Sequence, residues 1–254
     1  MKPLTRIACA LALALPMSGA ALAAQAAPAA ATAAAPADQA FMQLADHYFD
    51  DYYFPANPST ATVDGLHALD DKLEDYSRAG VDANIKALKQ WEARVAAVDP
   101  KTLGEYVRGD RELVLNNIRS TLLTLETIRP WQKNPDIYSS GITSSAFTLM
   151  ERKFAPPETR LRALIAREKL MPAVLADARR NLDNPPEIYT KIALEQLPGL
   201  VSFFQKDVPS AFADVADADL RKQFAASNGA VIKTLQDNQA WLKTDLLPRS
   251  HGDF

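Results

Sequence analysis

The residues best suited to chemistry are two histidines that each precede a pair of aspartates at the same spacing. The pattern His-x-x-Asp-Asp begins once at His47 and again at His67. On a helix, an acid three or four positions from a histidine lies one turn away on the same face. The spacing therefore predicts a charge-assisted hydrogen bond between an imidazole and a carboxylate in each cluster.

Neither cluster predicts a metal site. Zinc sites in proteins use three or four protein ligands, often two of them histidines, and each cluster has one histidine. The other histidine of the chain is His251, and the one cysteine is Cys9. The sequence has no HExxH motif, no GxSxG motif and no phosphate-binding glycine loop. We therefore assign no metal ligand, no cofactor and no catalytic residue to this chain from its residues.

His67 lies in an acidic stretch, residues 55–77, between segments with helical patterns. Two prolines favour an extended entry, and Ser59 or Thr60 is predicted to cap a short helix that follows. Five acids surround the histidine: Asp64, Asp70, Asp71, Glu74 and Asp75. Such a cluster fits two interpretations, a structural corner with satisfied hydrogen bonds or part of a site.

The elements that must position these residues are predicted to be helical throughout. Apolar residues recur at a spacing near 3.6, strand alternation does not persist, and glycine is scarce, with 9 residues. The fold class is therefore all-α, built of long amphipathic helices, partly kinked at Pro172 and at Pro198. The main helices are predicted at about 38–53, 81–98, 103–128, 156–182, 185–208 and 217–248, the first of them capped by Asp38.

A shorter helix of small residues is predicted at 139–147, directly after Tyr138. Its sequence, SSGITSSAF, has few large side chains. Small residues allow a neighbouring element to approach closely, and they could also line a cleft. Both interpretations remain open at this stage.

The amino terminus has the pattern of an export signal. A basic segment with Lys2 and Arg6 precedes an apolar run at residues 7–15, and Ala-Leu-Ala at 21–23 is a plausible cleavage site. The apolar run is too short to span a membrane. We predict a signal peptide at 1–23, an Ala/Pro-rich spacer at 24–37 and a helical domain at 38–254. The protein is expected in the periplasm or outside the cell, without membrane insertion after signal cleavage.

Composition narrows the function classes. The chain has 254 residues, is 48% hydrophobic and carries a net charge of −3. It has no basic run, which argues against a nucleic-acid partner. Cleavage of the signal would remove Cys9, and with it any disulfide, thiolate ligand or cysteine nucleophile.

Five blocks of sequence, in order along the chain, resemble the bacterial "domain of unknown function 885" family. The blocks are Thr62, Gly65, His67, Asp70, Leu73 and Asp75; Trp131, Pro135 and Tyr138; Arg160, Leu164, Arg167 and Pro172; Asn181-Leu182 with Pro185-Pro186 and Gln196 to Gly199; and Leu247-Pro248-Arg249-Ser250 with Gly252-Asp253-Phe254.

The resemblance implies one lobe of a two-lobed, all-helical, zinc-peptidase-like fold. In such proteins the zinc-binding helix follows the block that ends here at Phe254, so the domain is expected to be incomplete at its C-terminus. Zinc is then expected only with a C-terminal half, and a peptide substrate only in the full-length protein. The substrate-cleft candidates are His67, Asp70 and Tyr138.

A non-enzymatic periplasmic helical binding or scaffold module is the alternative. It predicts a stable domain without large apolar exposure, whereas part of a peptidase-like protein predicts an exposed apolar face for the other half.

Overall fold

The computed structural model describes residues 35–254, and the predicted signal peptide and residues 24–34 of the spacer lie outside the described residues. Across the described part of the chain all regular structure is helical, which confirms the all-α fold class. The α-helices are α1 (Pro36–Tyr48), α2 (Phe54–Ala56), α3 (Pro58–Val63), α4 (Arg78–Ala96), α5 (Glu105–Leu123), α6 (Pro130–Lys133), α7 (Asp136–Glu151), α8 (Pro157–Asn181), α9 (Glu187–Ser202), α10 (Val208–Ala211) and α11 (Ala218–Trp241).

Four of the helices continue into a wide π-helical turn, and a proline follows each turn at the same distance. The turns are Phe49–Tyr53, Thr124–Ile128, Phe203–Asp207 and Leu242–Leu246, and proline stands two positions after each of them. A proline ring clashes with the carbonyl four residues earlier and offers no N–H to it. After three of the turns the chain continues in a helical conformation into the proline. After Thr124–Ile128 it does not, because Arg129 has a left-handed φ of 53°.

Buried apolar residues form two clusters. The first joins α1, α4 and α5 through residues such as Phe41, Leu88 and Ile118. The second is larger and joins α7, α8, α9 and α11, with Leu164 and Leu235 fully buried within it. Both α8 and α9 continue as helix through the internal prolines predicted to kink them.

The acidic stretch at 55–77 connects α1 to α4, and its side chains reach the larger cluster. Leu73 and Tyr76 pack against that cluster, and the Asn181 amide donates to the Tyr76 carbonyl at 2.8 Å. The stretch is therefore held by contacts with α7 and α8, far away in sequence.

The predicted helix caps at Asp38 and at Ser59 or Thr60 are wrong, because neither α1 nor α3 has a side-chain cap. Helix α1 begins at Pro36 and has no side-chain cap, while Asp38 accepts a hydrogen bond from the Gly104 N–H at 2.9 Å, at the start of α5. Similarly, Glu74 accepts from the N–H and the hydroxyl of Ser59, at 2.9 and 3.0 Å. Each acid thus satisfies a free donor of the first turn of another helix.

Candidate functional site

The His67–Asp70 pair forms as the spacing predicts. Helix α3 ends at Val63, and two residues later Gly65 has a φ of 89°, in the left-handed region that glycine tolerates. The chain then enters a 3-10 turn, His67–Leu69. This turn brings His67 Nδ1 to 3.1 Å from Asp70 Oδ2. The imidazole also stacks on the ring of Phe154, with centroids 3.7 Å apart and planes 11° from parallel.

Asp70 is buried, and a hydrogen-bond network of Thr62 and Arg167 holds its carboxylate. The Thr62 hydroxyl has one proton and lies closer to Asp70 Oδ1, at 2.7 Å, than to the Pro58 carbonyl, at 3.2 Å. Arg167 Nη2 in turn donates to the Thr62 hydroxyl at 2.6 Å. The chain of hydrogen bonds therefore runs from a buried cation through a hydroxyl and a carboxylate to the imidazole.

Arg167 is the largest fully buried side chain of the described residues. Its Nη1 donates to the Ser145 carbonyl at 3.0 Å, whereas its Nε has no partner within the described part of the chain. Burial lowers the pKa of the guanidinium, and the negative charges of Glu74, Asp70 and Asp71 act in the opposite direction. An arginine remains charged in proteins, so Arg167 places a positive charge directly behind the acidic cluster.

In front of the pair lies an open pocket of about 490 Å³. Its floor and walls include His67, Asp70, Asp71, Phe154, Thr159 and Arg162. The Arg162 guanidinium is 60% exposed and pairs with Asp217 at 3.1 Å. The pocket thus presents an imidazole, carboxylates and a guanidinium around an aromatic ring, a set able to bind both polar and apolar parts of a ligand.

The other histidine cluster also forms the predicted pair, where Asp51 borders a pocket of about 350 Å³ but His47 does not. His47 Nδ1 lies 2.9 Å from Asp51 Oδ2, and both side chains are more than 60% exposed. An exposed pair of this kind contributes little to stability. The same sequence pattern therefore gives a surface ion pair at His47 and part of a pocket wall at His67.

The structure places Tyr138 in the core and does not bring it to the pocket that His67 and Asp70 line. Tyr138 is fully buried; its hydroxyl donates to the Trp131 carbonyl and accepts from the Asn181 amide at 3.0 Å. Burial raises the pKa of Tyr138 to about 12. The side chain is a satisfied core residue, apart from the pocket that His67 and Asp70 line.

Zinc does not fit the residues of this part of the chain. Within residues 35–254, no three His, Cys, Asp or Glu side chains come together as a group that could hold a metal ion. Asp70 is already engaged by Thr62 and His67. We therefore derive no catalytic step through zinc from these residues.

Sequence reasoning missed Phe154, Thr159 and Arg162 as pocket residues. All three lie between the end of α7 and the second turn of α8, about 90 positions after His67. The Arg152 side chain fastens this connection by donating to the Val63 carbonyl at the end of α3. The spacing of residues within the acidic stretch cannot indicate contacts with residues about 90 positions later in the sequence.

Among residues 35–254, no helix combines the length and the apolar character needed to cross a membrane. This finding concerns the helices named above.

Comparison with known proteins gives a family and a solved structure. The family model described as "Bacterial protein of unknown function (DUF885)" matches residues 58–254. A solved structure, described as "a putative lipoprotein of unknown function from Shewanella oneidensis", is 26% identical, with a TM-score of 0.73. The match covers 80% of this chain and 37% of that one, so this chain spans little more than a third of that protein's length. A search of curated proteins finds no match. The family match covers most of the chain, and the chain belongs to the DUF885 family of bacterial proteins.

Proposed function

We propose that this chain forms one wall of the substrate cleft of an exported, zinc-metallopeptidase-like protein, with a peptide as its substrate. The observation that supports the proposal is the pocket in front of His67 and Asp70, held rigid by Thr62 and Arg167. Export is supported by the signal-like amino terminus.

The pocket suits a peptide side chain for physical reasons. The face of Phe154 is covered by His67, which leaves an aromatic edge and an imidazole for apolar contact. Asp71 is about half exposed and is paired only with its neighbour Lys72 at 3.1 Å. A basic or aromatic side chain of a peptide could therefore replace Lys72 as the partner of Asp71 or pack on His67.

Binding, rather than hydrolysis, is the activity we assign to this chain itself. The described residues provide no zinc ligand set. The metal, and the glutamate that would act as general base in such an enzyme, are expected from other residues of a longer protein. Peptide hydrolysis by the purified chain in the presence of zinc would contradict this assignment.

Peptide binding can be tested by fluorescence polarisation. The probes are fluorescein-labelled tetrapeptides that differ at one position, occupied by Lys, Phe, Glu or Ala. We expect the Lys and Phe peptides to bind the purified chain with dissociation constants of about 0.1–1 mM, more tightly than the Glu and Ala peptides. The substitution His67→Ala should weaken this binding severalfold, and Asp71→Asn should weaken the Lys peptide selectively.

The second histidine cluster supplies a matched control. His47→Ala removes an imidazole with an aspartate partner from an exposed surface, so peptide binding should not change. Equal losses in the His47 and His67 variants, or no binding of any probe to the unsubstituted chain, would contradict the proposal.

The binding-module alternative expects a stable domain without a large exposed apolar surface. The cleft-wall proposal instead expects an apolar surface for the rest of the protein. Ile188 and Ile192 lie one turn apart on α9 and are both exposed, and Phe254 is 79% exposed beside Tyr189. Strong binding of an apolar-surface dye would favour the cleft wall, and weak binding by a monodisperse chain would favour the module.

A further inference from the structure

A second pocket, apart from the His67 pocket, lies between α8 and α11. Its volume is about 380 Å³. Helix α8 contributes Glu168, Lys169 and Pro172, and helix α11 contributes Gln223, Ser227 and two alanines. The small residues of α11 leave room above a floor that contains a carboxyl group.

The carboxyl group of Glu168 is only half satisfied. The side chain is fully buried, and its Oε2 accepts a hydrogen bond from the Ser227 hydroxyl. Among residues 35–254, its Oε1 has no hydrogen-bond partner. A buried polar atom without a partner is destabilising, and most buried carboxylates have partners. The free oxygen is therefore an acceptor for which the fold provides no donor.

A second acceptor at the same place is created by Pro172. The carbonyl of Glu168 lies four residues before Pro172, and in a regular helix it would accept the N–H of that residue. Proline has no N–H, and Pro172 lies inside α8. The backbone carbonyl and the carboxyl of one residue thus both lack a regular donor, beside the pocket that Pro172 lines.

The two acceptors at the floor of the pocket favour a ligand that brings a hydrogen-bond donor, and a cationic donor would hold Glu168 in its ionised form. Lys169 is the one charged side chain that lines the pocket with Glu168, and it is exposed. Burial raises the pKa of Glu168 to about 8, and the hydrogen bond from Ser227 lowers it only in part. At neutral pH the carboxyl is therefore mainly protonated until a cation is placed against it.

We propose that the α8–α11 pocket binds a small primary amine with an apolar body, its ammonium group donating to the carboxylate of Glu168. The apolar body would lie against Pro172 and the alanines of α11. Because Glu168 is covered in the described conformation, binding includes rotation of its side chain toward the opening. The ammonium keeps its protons, and the proton of the Glu168 carboxyl goes to solvent.

Isothermal titration calorimetry of the purified chain at pH 7 tests the proposal. The probe is 4-phenylbutylamine, and the matched neutral probe is 4-phenylbutanol. Titrations in phosphate and in Tris, which differ in heat of ionisation, measure proton release. We expect the amine to bind at least tenfold more tightly than the alcohol and to release close to one proton per site.

Two variants distinguish the pocket from a general affinity for amines. Glu168→Gln keeps the size of the side chain and a partner for Ser227, and it should reduce amine affinity at least tenfold and abolish proton release. Glu195→Gln removes an exposed acid on α9 and should change neither. Equal binding of the amine and the alcohol, binding without proton release, or amine binding unaffected by Glu168→Gln would each overturn the proposal, as would a lack of amine binding.

The outcome is independent of the cleft-wall proposal. The two pockets have no lining residue in common. The peptide assay depends on the effect of His67→Ala, and the amine titration depends on the effect of Glu168→Gln. Failure of the amine titration leaves the peptide assay unaffected, and the reverse also holds.

Discussion

Arg167 on α8 and Thr62 on α3 are joined by a hydrogen bond of 2.6 Å across 105 positions of sequence. Through the Thr62 hydroxyl, this bond reaches Asp70 and then His67. One contact therefore fixes the acidic stretch to the second helical cluster and also orients the pair at the pocket.

Removal of the Thr62 hydroxyl should destabilise the protein. In Thr62→Val the side chain keeps its shape, but Asp70 loses a donor and Arg167 loses an acceptor, both in a buried setting. We expect the free energy of unfolding, measured with urea, to fall by about 1–3 kcal/mol.

A matched control exists on α11. The Thr234 hydroxyl donates only to the carbonyl of its own helix at Ala230, at 2.7 Å, in an exposed setting. Thr234→Val should change stability by less than about 0.5 kcal/mol. Similar effects of the two substitutions would contradict a special role for the Thr62 network.

Because Gly141 is closely packed, we expect that adding a methyl group there destabilises the folded protein. A Cβ at this position would lie 2.6 Å from the Tyr76 hydroxyl oxygen. Tyr76 packs in turn on Tyr138, with ring centroids 5.4 Å apart, so its ring has little freedom to move. Gly141→Ala should lower the free energy of unfolding by about 1–3 kcal/mol, measured by urea denaturation.

Gly109, in the interior of α5, is the comparison. A Cβ there meets no atom within 4 Å, so Gly109→Ala should stabilise the protein by about 0.5–1 kcal/mol through helix propensity. A stabilising effect of Gly141→Ala would show that Tyr76 can move without cost, contrary to this view of the packing.

The helices could be predicted from sequence because their signals are local. Prolines and apolar periodicity placed both ends of α8 and the start of α11 to within a residue or two. Asp217 is the N-cap of α11 and accepts from the Leu220 N–H at 2.9 Å. Of the two interpretations of the small residues of α7, close packing agrees with the structure, since Gly141 lies against Tyr76 and Ser145 is buried.

The supporting residues of the site could not be predicted because their partners are distant in sequence. Asp38, on α1, accepts from the N–H of Gly104 before α5, and Glu74, outside any helix, accepts from the N–H of Ser59 in α3. No spacing rule reports such contacts. Glu168 did carry a local signal: it lies four residues after Leu164 and three before Met171, in line with the apolar face of α8. An acid in that position indicates a buried carboxyl.

The segment that follows α11 should be released by a substitution at Gly252. A Cβ at this position would lie 1.9 Å from the Asn184 carbonyl oxygen, and the Gly252 N–H donates to the Pro185 carbonyl at 3.1 Å. Because a backbone atom blocks the space, Gly252→Ala should displace the segment. We expect trypsin to cleave after Arg249 severalfold faster than in the unsubstituted chain, as measured by mass spectrometry.

Gly199→Ala is the control for this experiment, since a Cβ at Gly199 has no neighbour within 4 Å. Its cleavage rate after Arg249 should equal that of the unsubstituted chain. Unchanged cleavage in Gly252→Ala would mean that the Arg249 contacts with Asp183 and Asp245 hold the segment without the glycine.

Glu168 should make the stability of the protein fall as pH rises. Its pKa is raised from 4.5 to about 8 in the folded chain, so the folded state holds a proton that the unfolded state has lost. The stabilisation from this proton is complete below pH 4.5 and is lost as pH rises through 8. For this group alone, the free energy of unfolding declines by up to about 1.4 kcal/mol per pH unit in that window.

Urea denaturation at pH 5, 6, 7 and 8 should show Glu168→Gln gaining stability relative to the unsubstituted chain at each step, while Glu195→Gln follows the unsubstituted chain. Parallel pH profiles for Glu168→Gln and the unsubstituted chain would mean that the carboxyl is ionised throughout this range, which would also remove the basis for proton release on amine binding.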